Sequence, residues 1–282
     1  MSNLKKIDQQ LSLAKSVKEA LSLDFVKDRF VANYQAITGR KDGENRFASE
    51  MFHYLEIVND NAKLRDADKF SHFAAIVKAG TTGLSFSKEG QLYPILYGNV
   101  VKVQIGAHGK RELLRRMPNV KHIGEGQVIL KGDTFKHDKL SGRLLEHVAS
   151  EKQPVVTLDN IVAAYFRIIW KDNSYNDVVV YQDDIIKAKN QSKMQGDNST
   201  WAKWAGQMAV KVAYNRGYKL YYSAPQVEVT EIKGFDADDE EMVDDVKTTD
   251  VQHSEVDEKK VEAEVVEEAK IVSKPKNDLT DF

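Results

Sequence analysis

The chain has no cysteine, so disulfides and thiolate metal sites are excluded. It also has no apolar run near the roughly 20 residues that a membrane-spanning helix needs. The first six residues are polar and lack the apolar core of a secretory signal. A cytoplasmic protein is the expectation. Only five prolines occur, and no Pro/Gly-rich linker breaks the chain before residue 230. There is no internal repeat.

The catalytic inventory is equally thin. No GxxxxGK[ST] loop is present to cradle a nucleotide triphosphate, and Gly124-Glu125-Gly126 lacks the third glycine of a dinucleotide turn. No GxSxG elbow occurs. The seven histidines (His53, His72, His108, His122, His137, His147 and His253) include no i, i+4 pair of the kind that holds zinc on a helix. Asp133, Asp172, Asp183 and Asp184 sit at expected strand ends and helix starts, where carboxylates cap backbone N–H groups. We therefore expect no metal, no cofactor and no enzyme.

What is present is segregated charge. Residues 235–282 hold 17 acidic and 6 basic residues, a net of −11. Residues 1–234 hold 35 basic and 26 acidic, a net of +9, so the overall −2 hides a basic body with an acidic tail. A basic body calls for a polyanionic partner. The tail has too little apolar surface to offset its ordering entropy and reads as disordered. Residues 256–272 within it mix Val, Ala, Glu and Lys and fit a helix formed on a partner.

Periodicity divides the body. Phe25, Phe30 and Tyr34, then Phe47, Met51, Tyr54, Leu55 and Val58, then Phe70, Phe73, Ala74 and Val77 recur at helical steps. Gly80 is the expected end of the third helix. The pattern then shortens. Residues 92–96 and 100–105 read as a hairpin turning at Gly98-Asn99. A helix over 107–117, a strand over 128–130 and paired strands over 161–170 and 178–181 follow. Asp183-Asp184 would cap a helix over 185–193, and a last helix spans 201–219. N-terminal helices, then a small antiparallel sheet with packed helices, define an α+β fold.

Two basic clusters stand out. His108, Lys110, Arg111, Arg115 and Arg116 crowd one short helix, and Gly109 would admit a closely approaching backbone. Lys187, Lys189, Lys193, Lys203, Lys211, Arg216 and Lys219 form the second. Lys203, Gln207, Lys211, Asn215 and Lys219 step by four along one polar stripe. Trp201, Trp204, Ala205, Met208 and Val212 make the opposing face, which favours the core for both tryptophans over the alternative that one of them stacks on a base. Either cluster alone is also what a solvated helix face looks like. Together they fit a groove that tracks phosphates without reading sequence.

The order of several short segments resembles the RecT recombinase family. Val103-Gln104-Ile105-Gly106-Ala107-His108-Gly109 followed by Leu113-Leu114-Arg115-Arg116 is similar to its strand, Gly-x-x-Gly turn and helix. Gly80-Thr81-Thr82-Gly83-Leu84, Leu92-Tyr93-Pro94-Ile95, Gly132-Asp133-Thr134-Phe135 with His147, Ile161-Val162-Ala163-Ala164-Tyr165, and Trp204 with Met208 and Lys211 follow in family order over residues 70–220. His108, Gln207 and Asn215 depart from the family's usual Lys, Glu and Arg.

The resemblance implies a phage-type protein that binds single-stranded DNA and anneals complementary strands without ATP, acting as a homo-oligomeric ring or helical filament. It places a DNA-annealing core in residues 1–234. It also implies that the nascent duplex stays bound, that N-terminal helices pack between subunits, and that the protein works in a bacterial host. Asp278, Leu279, Asp281 and Phe282 look like the acidic tip of bacterial single-stranded-DNA-binding proteins. They are the expected dock for a 5′–3′ exonuclease or a host single-stranded-DNA-binding protein, or an arm that covers the basic groove. Two other readings use the same residues: a single-strand binder that does not anneal, and a metal-dependent nuclease built on Asp133 with Asp183 or Asp184.

Overall fold

The computed structural model describes residues 3–223 apart from 89, 153 and 193–195. They belong to the first of the chain's two units, Met1–Asp244; the second, Asp245–Phe282, lies outside them. The expected disorder of 235–282 and the helix over 256–272 therefore fall outside the described residues.

Six helices come first: α1 (Asn3–Leu13), α2 (Val17–Leu21), α3 (Asp24–Thr38), α4 (Gly43–Asn59), α5 (Ala62–Arg65) and α6 (Lys69–Thr82). Short polar side chains start three of them. Ser16 accepts from Glu19 N–H, Asn61 from Lys63 and Leu64 N–H, and Asp68 from Ser71 N–H. Helix α6 is buried over most of its circumference, from His72 through Val77 and again at Ala79 and Gly80. Such a helix belongs at the centre of a bundle. Gly80 does not end it. The helix runs on to Gly83, whose left-handed φ of 62° makes the stop. Gly80 is instead where α3 crosses: a Cβ there would lie 3.0 Å from the Phe30 carbonyl oxygen.

Two buried polar groups tie this layer together. His72 lies 2.7 Å from Tyr54 Oη through Nδ1 and 2.9 Å from the Leu64 carbonyl through Nε2. Glu50 has no exposed surface. It pairs with Arg46 at 2.8 Å and accepts from Ser85 Oγ at 2.6 Å and Phe86 N–H at 2.8 Å. That carboxylate pins the segment leading to the first strands.

The remaining elements are β1 (Leu92–Tyr97), β2 (Val100–Ile105), α7 (Ala107–Arg115), β3 (Val120–Ile123), β4 (Gln127–Leu130), β5 (Thr134–Asp138), β6 (Arg143–Val148), β7 (Ile161–Trp170), β8 (Tyr175–Tyr181), α8 (Gln182–Asn190), α9 (Thr200–Lys203) and α10 (Ala205–Tyr221). Strands β1 and β2 form the expected antiparallel hairpin, turning at Gly98 with φ 60°. Asp68 N–H to Asn99 O and Val101 N–H to Ser71 Oγ, both 2.9 Å, fasten the hairpin to the start of α6.

Strand β7 organises the main sheet. It pairs antiparallel with β8 along one edge, from Ala163↔Tyr181 to Ile169↔Tyr175. Along its other edge it pairs first with β4 and then with β3. Gly124 N–H donates to Arg167 O at 2.7 Å between them, so Gly124-Glu125-Gly126 is an interruption in one long edge. One face of the sheet carries Ala164, Phe166, Ile168, Val178 and Val180 into the main core. Helix α10 lies there, with Tyr214 4.9 Å from the Phe166 ring. The other face carries Ala163 and Val179, which with Ile129 form a second, smaller core. Hairpin β5–β6 sits on that face. Leu144 N–H donates to Asp177 at 2.9 Å, and His137 and His147 meet the hydroxyls of Tyr181 and Tyr165. The α+β class is as expected.

Three local expectations need correction. Helix α8 starts at Gln182 behind Tyr181 with no side-chain cap, so Asp183 and Asp184 lie inside its first turn. There they still favour the positive helix end. The expected helix over 201–219 is broken at Trp204, whose φ −131° and ψ 43° separate α9 from α10. Trp201 is buried at 4% exposure, but Trp204 is 56% exposed and is not core.

Candidate nucleic-acid interface

Helix α7 buries Ala107, Gly109, Leu113 and Leu114, which turns its basic residues outward and sideways. Each then takes a different environment. His108 is exposed. The Lys110 ammonium stands 5.7 Å from the Tyr218 ring centroid. The Arg111 guanidinium stands 5.6 Å from the Tyr214 ring and donates to Ile123 O at 3.4 Å, while its Nε is buried without a hydrogen bond. Aromatic faces attract such cations and fix their positions while leaving the positive charge in place.

Arg115 and Arg116 converge on Glu112. Arg115 makes two 2.8 Å hydrogen bonds to its carboxylate, and Arg116 Nε makes a third at 2.8 Å. Partial burial opposes ionisation of Glu112, but the hydrogen bonds from Arg115 and Arg116 outweigh it and hold the carboxyl below the usual range. Arg115 remains 60% exposed. Arg116 reaches back instead and donates to the Thr82 and Gly83 carbonyls, each at 3.1 Å. It closes the C-terminal end of α6, where orphan carbonyls need donors.

The second cluster lies on α8, α9 and α10. Lys187, Lys203 and Lys211 are exposed, as is Lys219 at the end of α10; Lys189 is partly covered. Arg216 crosses to Asp184 of α8 at 2.9 Å. Lys193 lies outside the described residues, as do Asp278, Leu279, Asp281 and Phe282. Helix α10 joins the clusters. Its Tyr214 and Tyr218 back Arg111 and Lys110 of α7, and its Arg216 holds α8. Helix α10 thus contacts the helices of both clusters, α7 through its tyrosines and α8 through Arg216.

Sequence reasoning missed the two tyrosines. Their i, i+4 spacing on α10 was the available signal. It also missed Glu112 as a shared counter-charge, and for Trp204 it favoured the core over the exposed alternative. The glycines around α7 have a different use from the one expected. A Cβ on Gly109 would sit 2.5 Å from Gln91 O, and Gly109 N–H donates to Gly90 O at 3.0 Å. The backbone that approaches Gly109 is the chain's own loop at Gly90-Gln91.

Two carboxylates of the nuclease reading have partners within the fold. Asp133 accepts from Leu130 and Ser150 N–H and lies 3.3 Å from His147, closing the loop before β5. Asp184 is engaged by Arg216. No three His, Cys, Asp or Glu side chains converge as a metal site among the described residues. No helix there is long and apolar enough to cross a membrane.

An α+β domain that sets cations on aromatic supports along adjoining helices has the build of a protein that binds a polyanion through its backbone. Comparison by family narrows this. The sequence pattern of the RecT family matches residues 45–264, most of the chain, and the chain belongs to that family. The assignment makes it a DNA-binding protein of phage-type recombination by single-strand annealing. No curated protein matches the chain. The family match begins inside α4 and runs past the last described residue into the acidic segment.

Proposed function

We propose that the protein binds single-stranded DNA across the surface formed by α7, α10 and α8 and anneals complementary strands without nucleotide hydrolysis. The observation that supports this reading is the pairing of Lys110 and Arg111 on α7 with Tyr218 and Tyr214 on α10, the helix that also carries Lys211, Arg216 and Lys219. Two DNA strands repel each other, and a shared cationic surface lowers that repulsion while leaving bases outward to pair. Base pairing and stacking then supply the driving free energy, and no ATP is needed. The annealing unit is a homo-oligomeric ring or filament that holds strand and nascent duplex. Residues 1–234 form its core, and 235–282 form an arm that recruits partners through Asp278, Leu279, Asp281 and Phe282, an exonuclease or a host single-stranded-DNA-binding protein among them. The site of action is the bacterial cytoplasm.

Annealing of two dye-labelled complementary oligonucleotides without ATP tests it. The protein accelerates pairing, and Lys110→Ala with Lys211→Ala removes the acceleration. Strand binding with no acceleration would make it a single-strand binder. Loss of labelled strands in Mg²⁺ would make it a nuclease.

A further inference from the structure

We infer that Trp204 is a base-stacking residue, the point at which this surface grips an unpaired base rather than a phosphate. This rests on the single-strand reading above and adds to it a named contact of different chemistry. The indole is 56% exposed, although burying it would be favourable. The chain breaks helically to put it there: Trp204 has φ −131° and ψ 43°, between α9 and α10. Its backbone is held on both sides, its N–H donating to Thr200 O at 2.8 Å and its carbonyl accepting from Met208 N–H at 2.9 Å. The ring is therefore presented from a fixed backbone. It makes no ring contact or side-chain hydrogen bond among the described residues. Its partner is unpaired and flat.

The surroundings select an anion-bearing partner. From 200 to 221 the chain has no acidic residue, while Lys203, Lys211, Arg216 and Lys219 occur there. Lys203 precedes Trp204 directly, and Lys211 lies two turns along the same side of α10, both exposed. Exposed Val156 adds apolar surface nearby; its Cγ1 would lie 3.0 Å from a Cβ on Gly206. An aromatic ring flanked by lysines binds a nucleotide in single-stranded form, ring on base and ammonium on phosphate, without regard to sequence. Duplex DNA offers no such free base face.

The test uses the full chain with two oligonucleotides of equal length and charge, one of thymidines and one abasic throughout. The wild type should bind the thymidine strand about tenfold more tightly than the abasic one, with quenched tryptophan fluorescence. Trp204→Ala should lose that preference while keeping its affinity for the abasic strand, and Trp204→Phe should retain most of the preference with less quenching. Two results overturn the assignment while the single-strand reading stands. One is a Trp204→Ala protein with the base preference intact. The other is a Trp204→Ala protein whose oligomeric state without DNA shifts while base preference persists, which would mean that a second copy covers the ring. Binding of neither strand by the wild type would instead remove the single-strand reading itself.

Discussion

His72 has no exposed surface, and its hydrogen bonds define its protonation. The Leu64 carbonyl can only accept, so Nε2 carries the proton and Nδ1 accepts from Tyr54 Oη. Burial pushes its pKa below the ordinary 6.5, against the pull of that carbonyl. The unfolded chain then binds the proton more readily than the folded one. Stability is complete above pH 6.5 and falls as pH drops below it. Urea unfolding should show a lower midpoint at pH 5.5 than at 7.5, with a smaller difference in His72→Gln. Arg116 supports a second prediction at this scale. Its guanidinium closes α6, so Arg116→Ala should cost about 1–2 kcal/mol in a urea melt. The same variant should change DNA affinity less than Lys211→Ala does, because Lys211 is exposed on α10 and Arg116 is engaged within the fold.

Helix α7 depends on how closely the Gly90-Gln91 loop packs against it. Gly109→Ala would drive a methyl against the Gln91 carbonyl, a backbone atom that cannot swing away. It should destabilise by about 1–3 kcal/mol, seen as a lowered melting temperature, and should weaken DNA binding only through that loss. The elements best legible in the sequence were those with a single strong period or turn. The β1–β2 hairpin had Gly98-Asn99, and β7 had ten residues rich in β-branched and aromatic side chains. Hairpin β5–β6 was not legible as strands. Its Thr, Lys, His, Asp and Glu residues mask the alternation, because its partner face offers tyrosine hydroxyls and Asp177 rather than pure apolar surface. Gly80 and Trp204 misled for related reasons. A glycine marks either a stop or a crossing, and a tryptophan at helical spacing marks a buried face only if the helix is unbroken. The basic residues of the candidate site were legible as charge. Their division into Arg116 closing α6, Arg115 held by Glu112 and Lys110 and Arg111 on tyrosines was not, since it depends on α6 and α10 both meeting α7.

For the molecule as a whole, a net +9 body and a −11 segment share one chain, and salt tests whether the segment covers the basic surface. Single-strand affinity should fall steeply with salt, with a slope near −0.7 per phosphate neutralised. Replacing Lys203 and Lys211 with alanine should flatten that slope by roughly 1.4 units. Truncation after Gly234 should tighten binding at low salt and matter little at high salt, where charges farther apart than about a Debye length no longer sense each other. Equal affinities with and without the segment at low salt would show that it does not cover the basic surface.

Glu112 gives Arg115 a resident anion before any DNA arrives. Under the proposed function, a phosphate reaching that arginine would have to take the place of a carboxylate tethered three residues away. On that reading, a phosphate on α7 would exchange at Arg115 with a carboxylate already in place rather than with bare solvent.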